Sequence, residues 1–456
     1  MIRSIEFNIL FCIICFISFP AKSAKVQGSD LVKPVKDDTE LNSIVETLVS
    51  QAKDQSRLAD FKTLKLMVSE PFSSTPLFLQ TLESLKLQEE KKKEVFARFL
   101  PRVTSSVGGG IKSGGINNDS SSQSYSLNIN QLVFDFGVTK RQYNASKKEE
   151  ASNQAKIDNQ RTELLLRIIS TLHEVYRAKT LLLLSQGFVD TRNGFLESMR
   201  QREVLGGSSN ADVIRAETKL SDALDKIPLQ VKSLKDNQSK LAEFFGTKIP
   251  EVRLTQLPII DMKTFDVTED TVSKNFKIRE MINQVDAARL NFQAEERSGF
   301  GRFNLQAGYQ NTDTNLLSPQ EQSSLLLTYQ LDIFTGFEKA SKISQAGFRV
   351  NALNFELERI KRELVTDLEQ SVHAFDAHAA LVLSRSELVK GAKLSNRVNK
   401  ELFELNKASI NDLFRSQEEY LNAAKNLVDA MVDKNITYYK MLASFGLLLE
   451  TFDLGA

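Results

Sequence analysis

Two hydrophobic periods run along this chain, and they occupy separate segments. In four short stretches apolar and polar residues alternate one by one, the signature of a strand with one buried or lipid-facing side. Phe303, Leu305, Ala307 and Tyr309 alternate with Asn304, Gln306, Gly308 and Gln310. Tyr125, Leu127 and Ile129 alternate with Ser126, Asn128 and Asn130. Leu325, Leu327, Tyr329 and Leu331 share one face of a third stretch, with Leu326 intruding on the other. Val103, Ser105, Val107, Gly109 and Ile111 form a weaker, glycine-rich fourth. These predict strands at about 102–111 and 123–134, and at about 302–311 and 322–334, each pair joined by a polar loop.

Elsewhere the period is helical. Residues about 138–203 contain no proline, and at ~1.5 Å per residue they span on the order of 100 Å. A matching stretch runs from about 337 to 405, where Val365, Leu368, Val372, Phe375, Ala379 and Val382 step by three and four in a coiled-coil seam. Leu165, Ile169, Leu172 and Tyr176 do the same in the earlier stretch. Each long helix meets a turn, Gly206-Gly207 or Asn406-Lys407, built from residues that tolerate the left-handed conformation closing a helix. Returning helices follow at about 210–246 and 410–449, the first expected to bend at Pro228. Further helices at about 78–100 and 276–299 lead into the strand pairs, and 41–60 reads as helical.

The two halves are copies of one unit. Gln131-Leu132-Val133-Phe134-Asp135-Phe136-Gly137 aligns with Gln330-Leu331-Asp332-Ile333-Phe334-Thr335-Gly336, an offset of 199, and Asp212 aligns with Asp412, an offset of 200. Such a period is far too long for a solenoid. The chain divides into an N-terminal segment 1–23, a first repeat 24–246, a connector 247–275 broken by Pro250 and Pro258, and a second repeat 276–456. The fold class is mostly α with a minor β part, helical hairpins duplicated beside four strands.

Composition narrows the function. Lys and Arg number 59 against 58 Asp and Glu, a formal net charge of +1, which gives nucleic acid no basic surface to bind. The opening residues read as an export signal: Arg3, an apolar run from Ile9 to Ile17, then Ala21-Lys22-Ser23 with cleavage after Ser23. Both cysteines, Cys12 and Cys15, fall inside it, so the mature chain carries no thiol. No later segment has the length of an apolar transmembrane helix, so any entry into a membrane is by strands. Four strands do not close a barrel, the smallest having about eight. Either the hairpins lie in a soluble sheet or several protomers pool them.

The junction motifs, the two turns and above all their duplicated order resemble the TolC-like outer-membrane efflux protein family across nearly all of the mature chain. The resemblance implies a homotrimer in the bacterial outer membrane, twelve strands forming one barrel in outer-membrane lipid and twelve helices continuing it as a periplasmic tunnel. It implies a periplasmic adaptor and an inner-membrane transporter as partners, in a tripartite efflux or type I secretion system. The tips Gly206, Gly207, Asn406 and Lys407 then become the adaptor-docking region. Where some members lock the entrance with an Arg, this chain has Ala408, leaving Lys407 or Arg415 as substitutes. Asp212 and Asp412 admit two readings. Ser209-Asn210-Ala211-Asp212 and Ser409-Ile410-Asn411-Asp412 have the form of a helix capping box. By resemblance the same carboxylates line the entrance, and threefold repetition would make an acidic ring.

No enzyme motif is present: there is no His-Glu-x-x-His, no phosphate loop and no nucleotide fingerprint, and no cofactor is expected. His173, His373 and His378 fall in helices, where a structural role outweighs metal binding. The reading from another class is an exported coiled-coil scaffold without channel activity, its strands packed on its own helices.

Overall fold

The structure, a computed structural model, describes residues 39–112, 120–246, 250–260, 265–314 and 317–455. The export signal, its two cysteines and the loop residues 113–119 lie outside them.

Ten helices and four strands follow in the described residues. Helix α1 (Thr39–Lys53) and α2 (Phe61–Ser74) precede the first unit, which runs α3 (Pro76–Phe96), β1 (Arg102–Lys112), β2 (Ser120–Phe134), α4 (Val138–Val204) and α5 (Asn210–Phe245). A short α6 (Glu269–Lys274) introduces the second: α7 (Phe276–Arg297), β3 (Arg302–Thr314), β4 (Leu317–Gln330), α8 (Glu338–Glu404) and α9 (Ile410–Ser444), followed by α10 (Leu448–Thr451). Within the connector, Thr255 forms a parallel bridge with Ala59, tying the chain between the units to the segment that precedes the first.

Helix α4 is the centre of the helical layer, packing on α3, α5, α7 and α9. Its seam residues Leu165, Ile168, Ile169 and Leu172 are fully buried in one cluster with Leu368, Tyr439, Leu442 and Phe452. Helix α8 packs on α9 through Leu368, Val382 and Val389 but leaves Phe348, Phe355, Leu383 and Leu388 in the open. The two copies therefore differ in burial rather than in shape. Burying one such side chain stabilises by about 1.5–3 kcal/mol, so the bare face of α8 is a substantial unused contribution. Helix α5 continues through Pro228, whose ring deprives the Leu224 carbonyl of its helical donor. No described helix is long and apolar enough to cross a membrane.

The strands form one antiparallel sheet in the order β1-β2-β3-β4. Val103 faces Ile129, Ile129 faces Ala307, and Ala307 faces Leu325, so odd-numbered residues of all four strands share one side. That side carries Val103, Val107, Tyr125, Leu127, Ile129, Leu305, Tyr309, Leu325, Leu327 and Tyr329, all exposed. The even-numbered side carries Ser, Thr, Asn, Gln and Gly between its ends, apart from Leu132 and Leu326. No described helix covers the apolar side.

Two expectations change. Strand β4 ends at Gln330 rather than 334, and it begins at Leu317, taking in Ser318 and Pro319 from what reads as loop. Strand β2 reaches Phe134 because β3 supplies a partner there, across a bulge at Leu132/Phe134. The outer edge of β4 has no such partner, and Ile333 and Phe334 are left 92% and 76% exposed. The repeat offset is also 200 throughout, not 199 at the junction. Arg102 pairs with Asn130 as Arg302 pairs with Gln330, and α4 and α8 start at 138 and 338. Each junction places two consecutive residues in the left-handed region, Phe136-Gly137 and Gly336-Phe337. Glycine takes the second position in one copy and the first in the other, so aligning the glycines slips the sequences by one.

The Asp135 carboxylate secures the first junction. It accepts from the Gly137 N–H at 3.1 Å, the Thr139 N–H at 2.7 Å and the Thr139 hydroxyl at 2.5 Å. Asp135→Ala is expected to cost about 1 kcal/mol, the usual loss of a helix-start acceptor, and to lower the thermal midpoint accordingly. Thr335→Ala, at the equivalent position, should leave that midpoint nearly unchanged.

Candidate functional site at the helical tips

Both hairpins close with the same hydrogen bonds. At the first, Gly206 N–H reaches the Glu203 carbonyl at 2.9 Å and Gly207 N–H the Arg202 carbonyl at 2.7 Å. At the second, Asn406 N–H reaches Phe403 at 3.0 Å and Lys407 N–H reaches Leu402 at 2.8 Å. This is the Schellman arrangement, and it needs a left-handed residue, supplied by Gly206 at φ 78° and Asn406 at φ 57°. A leucine precedes each: Leu205 is 84% and Leu405 64% exposed, beside an exposed Val204. Two apolar side chains held out at equivalent turns form a feature that composition alone does not show.

The returning helices begin with their serines as caps. Ser209 Oγ accepts from Asp212 N–H at 3.2 Å, and Ser409 Oγ from Asp412 N–H at 3.1 Å. Each serine hydroxyl in turn donates to the following Asp carboxylate at 2.7 Å. Only the second tip completes the reciprocal box, with Ser409 N–H donating to Asp412 at 3.4 Å. The Ser409 hydroxyl, then its N–H, then Arg415 hold the Asp412 carboxyl below the ordinary carboxylate value. Arg215 lies 3.4 Å from Asp212, and Arg415 lies 3.4 Å from Asp412 and 3.9 Å from Glu419. Within one protomer, then, Arg415 is engaged along its own helix rather than across to the other hairpin.

The link between hairpins lies higher, some 20 Å from the turn at ~1.5 Å per residue. Arg192 of α4, 1% exposed, is sandwiched between the Phe188 and Phe414 rings at 4.7 and 4.5 Å. It donates to the Phe414 carbonyl at 3.3 Å and meets the Glu418 carboxylate at 3.5 Å. Lys219 of α5 reaches the same carboxylate at 3.5 Å. Burial lowers the Arg192 guanidinium to about 10, with Glu418 and Asp222 opposing, so it stays cationic at neutral pH. Around it Leu196, Met199, Val213, Ile410 and Phe414 pack both hairpins together.

His173 is buried, its Nδ1 2.8 Å from the Ile169 carbonyl and its ring 5.6 Å from that of Tyr439. Burial lowers its pKa to about 4. Its repeat equivalent, His373, is exposed. No group of metal-ligating side chains occurs among the described residues.

The duplicated helix–strand–strand–helix–helix order and the tip geometry have counterparts among known proteins. A family model described as outer membrane efflux protein matches residues 76–247. The crystal structure of CusC superposes with a TM-score of 0.77 at 12% identity, over 85% of this chain and 92% of that one. The outer membrane channel CmeC of Campylobacter jejuni gives 0.75 at 11%, over 90% and 86%, and the outer membrane protein VceC of Vibrio cholerae gives 0.74 at 14%, over 90% and 96%. Its fold is that of the TolC-like outer-membrane efflux proteins. At these identities the likeness to these structures establishes architecture alone. No curated protein matches the chain by sequence.

Two measurements test the packing of this fold. Glu418→Ala leaves a buried cation without its carboxylate and should cost about 1–2 kcal/mol, discounted because Glu418 is half exposed. Arg192→Met, which removes the charge and keeps the stem, should cost less in the same thermal denaturation. For His173, the unfolded chain takes up a proton near pH 6.5 that the folded chain refuses until about 4. Stability is therefore full above 6.5 and falls by up to about 3 kcal/mol as pH drops toward 4. His173→Leu should flatten that part of the pH–stability curve.

Proposed function

We propose that the chain is a passive exit duct of the bacterial outer membrane, serving a tripartite efflux or type I secretion system. The observation that carries this reading is the sheet: one side bears an exposed apolar band across all four strands, the other is polar, and neither outer edge is paired among the described residues. In hydrocarbon every backbone N–H and C=O needs a partner, which only closure into a barrel supplies. Three copies contribute twelve strands with the polar side facing a water-filled bore, and α4, α5, α8 and α9 of each copy extend that bore into the periplasm. The open apolar face of α8 then packs on a neighbour. The fold shared with CmeC and VceC, whose structures are described as outer membrane proteins, supports the same placement.

On this reading the tips are the entrance. Leu205, Gly206 and Gly207 with Leu405, Asn406 and Lys407 present the surface on which a periplasmic adaptor docks, and an inner-membrane transporter beyond it supplies the energy. Opening shifts whole hairpins between packed arrangements, because the Schellman turns hold each tip as a unit. Asp212 and Asp412, three copies of each, line the entrance, with Arg215 and Arg415 tempering their charge.

The test is reconstitution. Mature protein should fractionate with the outer membrane, need detergent, run as a trimer and conduct ions in planar bilayers. A folded monomer soluble in plain buffer would overturn the duct and favour the scaffold. The pair Asp212→Asn with Asp412→Asn keeps side chains able to accept the serine hydroxyls while removing charge. It should lower the cation-to-anion permeability ratio by about two-fold or more, as expected for a charged ring. An unaltered ratio would confine both residues to capping.

A further inference from the structure

The two hairpins share one internal register, Arg102 opposite Asn130 and Arg302 opposite Gln330, so each residue paired between β1 and β2 has its counterpart 200 positions on in β3 and β4. The β2–β3 contact joins one repeat to the next. Its register is visible: Ser126 opposite Gln310, Asn130 opposite Gln306, Leu132 opposite Asn304. The outer edges of β4 and β1 are the counterparts of those two joined edges, and among the described residues no strand pairs with either.

We propose that β4 pairs antiparallel with β1 of a second copy of this chain in the register of the β2–β3 contact. This rests on the duct reading and specifies its seam. Transposed by 200, the internal contact sets Leu326 opposite Gly110, Gln330 opposite Ser106, and Asp332 opposite Thr104 of the neighbour. On the lipid-facing side it sets Leu325 opposite Ile111, Leu327 opposite Gly109, Tyr329 opposite Val107 and, past the transposed bulge, Phe334 opposite Val103.

Three independent features agree with that register. Leu326 is the one bulky apolar side chain on the polar side of β4, and it would lie over Gly110, above which the protomer has open space. Arg102 has no carboxylate within the 4.0 Å of an ion pair among the described residues, and the register brings Asp332 to its diagonal position, within a long side chain's reach. The exposed Ile333 and Phe334 lie on the segment that would extend β4 to 334, matching the 134 of β2 and acquiring the partner it lacks in one protomer.

The mature chain is expected to contain no cysteine, so engineered pairs report without background. Directly opposed residues have Cα atoms ~4.5–5.5 Å apart, inside disulfide range, and a two-residue slip moves them ~7 Å along the strand. Full-length protein expressed for export, carrying Ser106→Cys with Gln330→Cys, should give intermolecular disulfides on mild oxidation, read as trimers on a non-reducing gel. Ser106→Cys with Thr328→Cys, or with Leu326→Cys, should cross-link at least several-fold less. Strongest linkage in either shifted pair, or none in any, overturns the register. A second readout avoids cysteine altogether: Gly110→Val should lower the temperature of trimer dissociation, and adding Leu326→Ala should recover part of that loss. Additive losses overturn the Leu326–Gly110 contact. Trimers that form with a different linkage pattern reject this seam alone, whereas wild-type protein found only as a monomer rejects the duct as well.

Discussion

The backbone of an edge strand is the constraint on which everything else in this molecule turns. A strand edge presents a row of N–H and C=O groups that water satisfies and hydrocarbon does not. Here both outer edges belong to a sheet with an exposed apolar band running from β1 to β4 on one side, so neither solvent suits the protomer alone. Water accepts the edges and rejects the apolar side; lipid does the reverse. Adding strands until the sheet meets itself resolves the conflict, and one chain has too few. The helical layer shows the same incompleteness in a milder form, with α4 surrounded on four sides and its copy α8 bare on one.

Duplication explains why that solution is geometrically available. Because the hairpins share one register, the contact inside a protomer would serve as the template for the proposed contact between protomers, and a ring made of such units would close without a special seam. The copies diverge where their neighbours diverge. Strand β2 has a partner at 134 and stays extended; β4 has none and stops at 330. The left-handed pair at the junction is kept in both, yet only the first copy places a glycine beside the helix start and an Asp to bond it. Each copy holds one phenylalanine in the left-handed pair, Phe136 before the glycine in the first and Phe337 after it in the second, a strain of order 1 kcal/mol in either.

Sequence periodicity revealed those parts whose physics is local. Alternation at Tyr125–Ile129 and Phe303–Tyr309 located strands because each side of the sheet meets a different medium. The three-and-four steps from Leu165 to Tyr176 located a helix seam. Serine caps and the Gly206 and Asn406 turns were readable because their bonds span six residues or fewer. Three things escaped this kind of reading. Strand β4 was misplaced at both ends because strand length depends on a partner as well as on pattern. Matching Gly137 to Gly336 shifted the junction, since two adjacent left-handed positions let glycine occupy either. The Arg192–Glu418–Lys219 link stayed hidden because Glu418 lies 226 residues from Arg192 and 199 from Lys219 along the chain, and they come together only when the hairpins pack.

That link also bears on how an entrance at the tips would move. Each turn is closed by its own backbone hydrogen bonds and each returning helix by its own serine, so a tip has little freedom to unravel. The contact most easily reorganised is the one between hairpins, where a desolvated guanidinium lies between two rings with two of its nitrogens, Nε and Nη1, lacking a partner in the protomer. Such a group gains when water or a new acceptor reaches it, so separating the hairpins costs lost packing while restoring solvation to Arg192. Opposed terms of similar size are what allow two arrangements to lie close in free energy. A docking partner then has only to tip that balance, acting on rigid hairpins whose pivot lies above the turns it touches.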